Sequence, residues 1–270
     1  MVRINQDQMG LFIATATDIS PKEQQELMQR CWFSLARQKR TEPILHQFGE
    51  SWVKITANEK YGMATIFDND VMIFALSHYM NAINQNHSVG RRFFFTGYDY
   101  FRFIGRRTFG GKGYNDLWNS LQRLHHTFVE TNLRLCKSKR HHSFNWLSEI
   151  KQVVDNGRHR GYEIVIPEWL YSSVVDEKLV LTLDEGYFSI KGGLERWMYL
   201  FARKSAGKQL TGWKESIENI WRKSGSISSL SEFHRQVDRI SRKKNLLSYK
   251  MKDVDVADKR GLLFRRITNK

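Results

Sequence analysis

The chain has 270 residues, enough for one large domain or two of ordinary size, and its 41% hydrophobic content argues against a disordered protein. Its 43 lysines and arginines against 28 acidic residues leave a net charge of +15, which favours a nucleic-acid partner over a membrane because the cations are spread along the chain. Two cysteines, Cys31 and Cys136, make no disulfide scaffold, and no apolar run approaches the roughly 20 residues that span a bilayer. We expect a soluble cytoplasmic protein without a signal peptide.

Residues 1–59 are predicted to be an extension outside the main domains. The run SPKE at 20–23 offers a helix cap, a proline at the first helical position and an acidic third residue. Leu27, Cys31 and Leu35 follow at intervals of four, so we expect an amphipathic helix from 21 to about 39. Residues 40–60 are interpreted as an extended linker with one strand near 52–56.

A first domain is predicted over residues 60–176. Asp68 or Asp70 can cap a helix that runs to about Asn84, and a strand follows at 92–95. Thr96, with Asp99 three residues on, begins a short helix, and a longer helix starts near residue 111. A hairpin is expected next, with strands at 128–134 and 144–154 around the basic loop KSKRHH at 137–142. This element order is typical of a winged helix, and the basic loop would be its wing.

The longer helix has two contrasting faces. Its apolar positions follow helical spacing and should be buried: Tyr114, Leu117, Leu121 and Leu124. Its opposite face carries amides and a cation: Asn115, Asn119, Gln122 and Arg123. A helix that packs by an apolar stripe and presents polar groups after a basic turn is the layout of a DNA-recognition helix.

A second domain, residues 177–270, repeats this plan. Helices are expected over 192–206, from Ser216 to Gly225 and from Ser229 onward, and a hairpin over 246–254 and 262–267. A shift of 116 residues places the apolar stripe of the last helix on that of the first domain: Leu230 on Tyr114, Phe233 on Leu117, Val237 on Leu121 and Ile240 on Leu124. We therefore predict an α+β protein of two tandem winged-helix domains with an N-terminal helical extension.

The predicted DNA contacts fall into two groups. Side chains on the exposed faces of the two recognition helices should contact base edges, because asparagine suits adenine and arginine suits guanine. These base readers are Lys112, Asn115, Asn119, Ser228, Ser231 and Arg235. Cations in the turns, wings and helix ends should contact phosphates. These are Arg106, Arg107, Arg123, Lys137, Lys139, Arg140, Arg239, Arg242, Lys243, Lys259 and Arg260.

The sequence offers little for cofactor or metal binding. The glycine-rich run at 105–112 differs from a nucleotide-binding phosphate loop, because its lysine comes one residue late and Gly113 stands where a serine or threonine should hold magnesium. The histidine pairs at 125–126 and 141–142 are adjacent, whereas ligands on a helix need i, i+4 spacing. The cluster at 68–70 directly precedes an apolar-periodic run, which favours capping over metal binding. No cofactor and no metal are expected.

A rolling-circle nickase is the enzyme to consider. Tyr98 and Tyr100 are candidate nucleophiles, but such an enzyme also needs a His-x-His metal strand, and the sequence contains none. Their i, i+2 spacing in a predicted helix should turn one tyrosine inward and the other outward. We expect a protein without catalytic activity.

Several stretches resemble one known family. They are YGMATIFDNDVMIFALSHY at 61–79, GGKGYNDLWNSLQRL at 110–124, GYEIVIPEWLY at 161–171, LTLDEGYFSIKGGLERWMYLFARKSAG at 181–207, and WKESIENIWRKSGS with LSEFHRQV at 213–237. Together they resemble the plasmid replication initiator protein A family over about residues 60–254. Family members often carry Pro-Thr before the Gly-Gly-Lys-Gly, where this chain has Arg107-Thr108-Phe109.

The resemblance implies a tandem winged-helix initiator that binds repeated sites, or iterons, in double-stranded plasmid origin DNA. It also implies repression of its own promoter by a dimer, and recruitment of the host replication initiator and helicase machinery. A dedicated transcription repressor of the same fold is the alternative, followed by the nickase. The role of the N-terminal helix, in dimerisation or internal docking, stays open.

Overall fold

The computed structural model describes residues 11–14, 19–106, 110–133, 142–175, 178–243 and 245–267. The helices are α1 Gln25–Gln29, α2 Asn69–Asn84, α3 Gly97–Phe103, α4 Gly111–His126, α5 Glu168–Val175, α6 Gly193–Ser205, α7 Ile217–Ser224 and α8 Leu230–Ser241, with a 3-10 helix at Glu185–Ser189. The strands are β1 Leu11–Ile13, β2 Lys22–Gln24, β3 Ile44–Phe48, β4 Ser51–Thr56, β5 Arg92–Phe95, β6 Phe128–Thr131, β7 His142–Asn145, β8 Glu149–Asp155, β9 Arg158–Val165, β10 Val180–Thr182, β11 Trp213–Ser216, β12 Asn245–Leu246, β13 Tyr249–Val256 and β14 Lys259–Arg266. The fold is α+β. No helix within these ranges has the length and apolar character needed to cross a membrane.

One arrangement of elements occurs twice. The first unit contains α2, β5, α3, α4, β8 and β9, with β6 and β7 inserted before β8. The second contains α6, β11, α7, α8, β13 and β14, with β12 inserted before β13. In the first unit β9 pairs antiparallel with both β5 and β8, which gives the order β5-β9-β8. In the second unit β14 pairs antiparallel with both β11 and β13, which gives the order β11-β14-β13. The two units therefore share their strand topology as well as the apolar stripe found in the sequence.

Three of the four stripe positions in each helix are buried as their spacing predicts, whereas Tyr114 and Leu230 are only half-buried. Leu117, Leu121 and Leu124 of α4 are buried, and so are the residues 116 positions later, Phe233, Val237 and Ile240 of α8. The helix starts agree as well. Thr96 caps α3 in a reciprocal capping box with Asp99, while the hydroxyls of Ser216 and Ser229 cap α7 and α8.

Helix α2 lies at the centre of the first unit. Every residue from 69 to 80 is buried, so this helix is enclosed on all sides rather than amphipathic. Phe74 packs edge-on against Phe95 and Tyr100, with ring centroids 5.3 and 5.7 Å apart. This aromatic core ties α2 to β5 and α3, and thereby fixes the strand and short helix that precede α4.

The hairpin predicted as the wing of the first unit does not pair with the strand of that unit, β5. Strands β6 and β7, which flank the basic loop, belong to a separate sheet with the order β3-β4-β6-β7. The hairpin that pairs with β5 is instead β8–β9, whose turn lies at 156–157. Both hairpins fit the local pattern, and only the long-range pairing of β5 with β9 distinguishes them. The loop residues Lys137, Lys139 and Arg140 lie outside the described residues, as does Arg107.

The predicted N-terminal helix over 21–39 is also wrong. Residues 22–24 pair antiparallel with β10, and α1 is only five residues long. Residues 31–34 are all buried, and an amphipathic helix cannot bury four consecutive residues on one face. The expected linker forms the β3–β4 hairpin, and β4 pairs with β6. The predicted domain boundaries at 59/60 and 176/177 stay predictions, but residues 44–56 share a sheet with β6 and β7, which lie within the predicted first domain.

The N-terminal region contacts both units. The Cys31 amide donates to the Lys223 carbonyl at the end of α7 over 2.9 Å. The His46 ring lies with Nε2 2.8 Å from the Cys31 carbonyl and Nδ1 3.2 Å from the Arg222 carbonyl. Strand β2 packs on α2 and α1 packs on α6. This region therefore connects the repeated units.

Candidate nucleic-acid interface

The exposed face of α4 carries the three base readers predicted for it. Lys112, Asn115 and Asn119 are all exposed, and none has a side-chain hydrogen bond or ion pair within the described residues. Gly110, at the helix cap, contributes no side chain that would bond the first-turn N–H groups. Free amides, a lysine and open N–H groups at a helix start suit a polyanion with readable base edges.

The matching face of α8 is exposed but more highly charged. Ser231 and Arg235 point to solvent, and the Arg235 guanidinium forms an ion pair with Glu232 over 2.9 Å. Glu232 also pairs with Arg239 over 3.0 Å. Surface pairs of this kind contribute only about 0–1 kcal/mol, so a DNA ligand can displace them.

Ser228 has a different environment from the other predicted base readers. It lies just before the α8 cap and is half-buried, and its hydroxyl accepts a hydrogen bond from Gln236 Nε2 over 3.0 Å. Its carbonyl accepts from Trp221 Nε1 over 2.8 Å. These bonds hold the turn between α7 and α8, so Ser228 positions the helix, and its predicted contact with a base stays a prediction.

Arg123 is predicted to contact a phosphate, but the structure pairs its guanidinium with a buried carboxylate. Its Nε and Nη2 donate to the two carboxylate oxygens of Asp68 over 2.8 and 2.7 Å, and Asp68 is buried. This bidentate pair raises the pKa of Arg123, chiefly through the hydrogen bond to Asp68. Arg123 is therefore a residue that joins α4 to the start of α2. Sequence spacing alone could not show a partner 55 positions away.

The remaining predicted phosphate contacts are exposed cations, most of them with acidic neighbours. Lys243 pairs with Glu195 over 2.7 Å and Lys259 with Glu218 over 2.6 Å, while Arg260 pairs with Asp238 over 2.5 Å and with Asp253 over 2.8 Å. Arg106 lies over the Phe101 ring at 5.3 Å, and Arg242 is exposed at the end of α8. Their predicted contacts with phosphates stay predictions.

Sequence reasoning missed the cations of the β8–β9 hairpin. Its turn residues Asn156 and Gly157 have φ values of 49° and 71°, and Arg158, His159 and Arg160 follow, all exposed. The β13–β14 turn has the same left-handed conformation at Ala257 and Asp258, followed by Lys259 and Arg260. Two-residue turns of this kind match the twist of a hairpin. The Asn-Gly signal was visible in the sequence, but its connection with β5 was not.

The described residues offer no evident catalytic arrangement. No group of three or more histidine, cysteine, aspartate or glutamate side chains within them is placed to hold a metal ion. Tyr98 is exposed and Tyr100 is buried, the inward and outward placement that their spacing predicts. Burial raises the pKa of Tyr100 well above its usual value. That tyrosine is a packed core residue, since its ring lies against Phe74.

Duplicated units with exposed polar helices, on a strongly basic chain, are features expected of a nucleic-acid-binding protein. A model of the family described as replication initiator protein A matches residues 22–251. The chain belongs to the replication initiator protein A family. This confirms the resemblance found in the sequence and extends it, because the match includes most of the N-terminal region that the resemblance left out.

One relative and two solved structures are similar to this chain. A "putative replication protein" of Wigglesworthia glossinidia brevipalpis is 33% identical over 216 residues, which cover 77% of this chain and 76% of the relative. A crystal structure of domains 2 and 3 of RctB matches with a TM-score of 0.62 and 11% identity, covering 86% of this chain and 94% of that one. A second RctB structure of the same domains matches with a TM-score of 0.57 and 11% identity, covering 90% and 96%. At this identity the structures show a common fold.

Proposed function

We propose that this protein starts plasmid replication by binding repeated sites in double-stranded origin DNA through two winged-helix domains. The observation that carries the proposal is the duplication of one unit in a replication initiator family, with an exposed polar helix at the same place in each copy. No enzymatic step is needed for this role, and a cytoplasmic location follows from it.

We assign each unit as a winged helix. The order is helix, strand, helix, helix and hairpin, and the first strand adds to the hairpin as a third strand. We assign α4 and α8 as recognition helices, and the β8–β9 and β13–β14 hairpins as wings. In this assignment the wing cations are Arg158 and Arg160 in the first unit and Lys259 and Arg260 in the second.

Affinity and specificity come from different residues in this proposal. Exposed lysines and arginines bind phosphates, which gives salt-sensitive affinity without sequence preference. Asn115 and Asn119 in the first unit, and Arg235 in the second, contact base edges in successive major grooves. Because the units are tethered, binding of one raises the effective concentration of the other, so a long composite site is expected.

A protection footprint on the plasmid DNA around the coding sequence tests the proposal. We expect protection of several similar sequences in the origin, each extending over two major grooves on one face of the duplex, and weaker protection at the promoter of the gene. Protection of the promoter alone would favour a dedicated repressor. Absence of any protected sequence at a concentration that saturates nonspecific duplex would contradict specific binding altogether.

Autoregulation, dimerisation and recruitment of the host initiator and helicase machinery are further parts of the proposal. Sedimentation of the free protein and of its complexes with promoter and origin DNA gives the number of copies in each. A dimer on the promoter and a monomer on an origin repeat are expected, and one stoichiometry on both would contradict that division. Host recruitment is tested by co-sedimentation of purified host initiator and helicase with the origin complex.

A further inference from the structure

We propose that the bridging segment, defined as residues 35–40, is a third DNA-contacting element in which Lys39 binds backbone phosphates between the two half-sites. The inference rests on the proposed function, because it assumes a duplex laid across α4 and α8. It adds a contact that lies in neither repeated unit, in a region that the sequence suggested was a peripheral helix.

The bridging segment lies between the two recognition helices. A groove on one side of it is lined by Gln38 and Lys39 together with Asn119 of α4. A groove on the other side is lined by the same two residues together with Gln236 and Arg239 of α8. Since Gln38 and Lys39 border both grooves, we place them beneath a duplex that contacts both helices.

Contacts at both ends hold the segment in place. At its start, the Leu35 carbonyl lies so close to α6 that a Cβ at Gly193 would be 1.9 Å from its oxygen. At its end, the Arg40 guanidinium donates to the Gly225 carbonyl over 2.8 Å, and the Arg40 carbonyl accepts from the Met63 amide over 2.8 Å. The segment is thus fixed to the second unit at Gly193 and Gly225, and to Met63 shortly before α2.

The cations of this segment have different environments. Arg37 lies over the Phe67 ring at 3.6 Å and donates to the Lys191 carbonyl over 3.4 Å. Arg40 is partly buried, and burial lowers its pKa. Lys39 is exposed, and within the described residues its ammonium group has no hydrogen bond or ion pair. Its stem packs near Gly62, where a Cβ would lie 2.8 Å from Lys39 Cγ. Lys39 therefore has a supported stem and an available charge.

The geometry of B-DNA determines what Lys39 would meet. Two recognition helices in successive major grooves on one face lie about 34 Å apart, and the minor groove with its flanking phosphates faces the protein between them. A lysine presents a point charge and no planar fork, so it suits a phosphate more than a base edge. The contact should add affinity and salt dependence without changing base preference.

Replacing Lys39 tests the contact. The probe is a duplex of about 30 base pairs taken from a sequence that the wild-type protein protects, long enough for two half-sites one helical turn apart. We expect Lys39→Ala to reduce the slope of log K against log salt by about one unit, and Lys39→Arg to restore it. Lys208→Ala is the matched control, because Lys208 is exposed in the turn after α6 and lines neither groove, and it should leave the slope unchanged.

A neutral backbone in the probe locates the contact. Methylphosphonate linkages between the half-sites should weaken binding of the wild-type protein but not of Lys39→Ala. An unchanged slope in Lys39→Ala, or an equal methylphosphonate penalty in both proteins, would overturn the inference while leaving the proposed function intact. If the wild-type protein selects no duplex sequence, the proposed function fails and this inference fails with it. Matching urea unfolding curves for the variants show that the fold is unaltered.

Discussion

Asp70 of α2 and Arg196 of α6 form a buried ion pair that joins the two repeated units. Arg196 Nη1 lies 2.6 Å from Oδ1 and 2.8 Å from Oδ2 of Asp70, and the two side chains are only 5% and 7% exposed. Nε and Nη2 of Arg196 donate to the carbonyls of Ile190 and Phe188 over 2.7 and 3.0 Å. These hydrogen bonds offset part of the cost of removing both charges from water.

Breaking this pair should destabilise the protein strongly. Arg196→Met leaves the Asp70 carboxylate buried without its partner, and we expect a loss of about 3–5 kcal/mol in the free energy of unfolding. Asp70→Leu should cost a similar amount, whereas the double variant should lose much less than the two single losses combined. Urea unfolding of the four proteins measures the coupling. Additive losses would show that the charges do not interact.

Arg235 should determine preference at one base position. The Arg235 side chain, which pairs with Glu232, is 70% exposed, so Arg235→Ala should leave the free energy of unfolding nearly unchanged. It should reduce discrimination at a single position by about 1–3 kcal/mol. Affinities for a panel of point-mutated sites measure this. Arg222→Ala is the control, since Arg222 forms a similar exposed pair with Glu218 on α7 and should preserve every preference. An unchanged profile for Arg235→Ala would reject its assignment as a base reader.

The two candidate wings of the first unit can be separated by salt dependence. If the β8–β9 hairpin is the wing, replacing Arg158 and Arg160 by alanine should flatten the slope of log K against log salt by about two units. The Lys139→Ala/Arg140→Ala variant, in the loop that the sequence favoured, should then keep the wild-type slope. If only the Lys139→Ala/Arg140→Ala variant flattens the slope, the phosphate contacts lie in that loop instead.

Glu23 should make stability depend on pH. It is fully buried and accepts hydrogen bonds from the Gln24 amide and the Asn69 side chain, and burial raises its pKa from 4.5 to about 7. Between these values the unfolded chain releases a proton that the folded chain keeps, so the contribution of Glu23 is greatest below pH 4.5 and is lost as the pH rises to about 7.

The Glu23→Gln variant isolates this effect. The substituted side chain does not titrate. We therefore expect the free energy of unfolding of the variant, relative to wild type, to be up to roughly 3 kcal/mol higher above pH 7 than at pH 4.5. Urea unfolding of both proteins at several pH values measures the gap. Parallel stability curves for variant and wild type would show that the pKa of Glu23 is the same in the folded and the unfolded chain.

The sequence by itself determined the parts of the fold that depend on local periodicity. The stripes of α4 and α8, the caps at Thr96, Ser216 and Ser229, and the repetition at a shift of 116 residues all follow from spacings within one helix or its first turn. The exposure of Asn119 and Arg235 follows from the same spacings, because a helix that buries one stripe turns the opposite face outward.

Only the tertiary structure decided which segments meet. Two hairpins followed α4, and the pairing of β5 with β9 selected the one that joins the repeated unit. The sequence does not distinguish Arg123 from an exposed cation, and only the structure shows its pair with Asp68. Residues 21–39 have helical spacing, yet residues 22–24 form a strand that pairs with β10. Strand partners and buried charge pairs depend on residues far apart in sequence, and a pattern read along one segment contains no information about its distant neighbour.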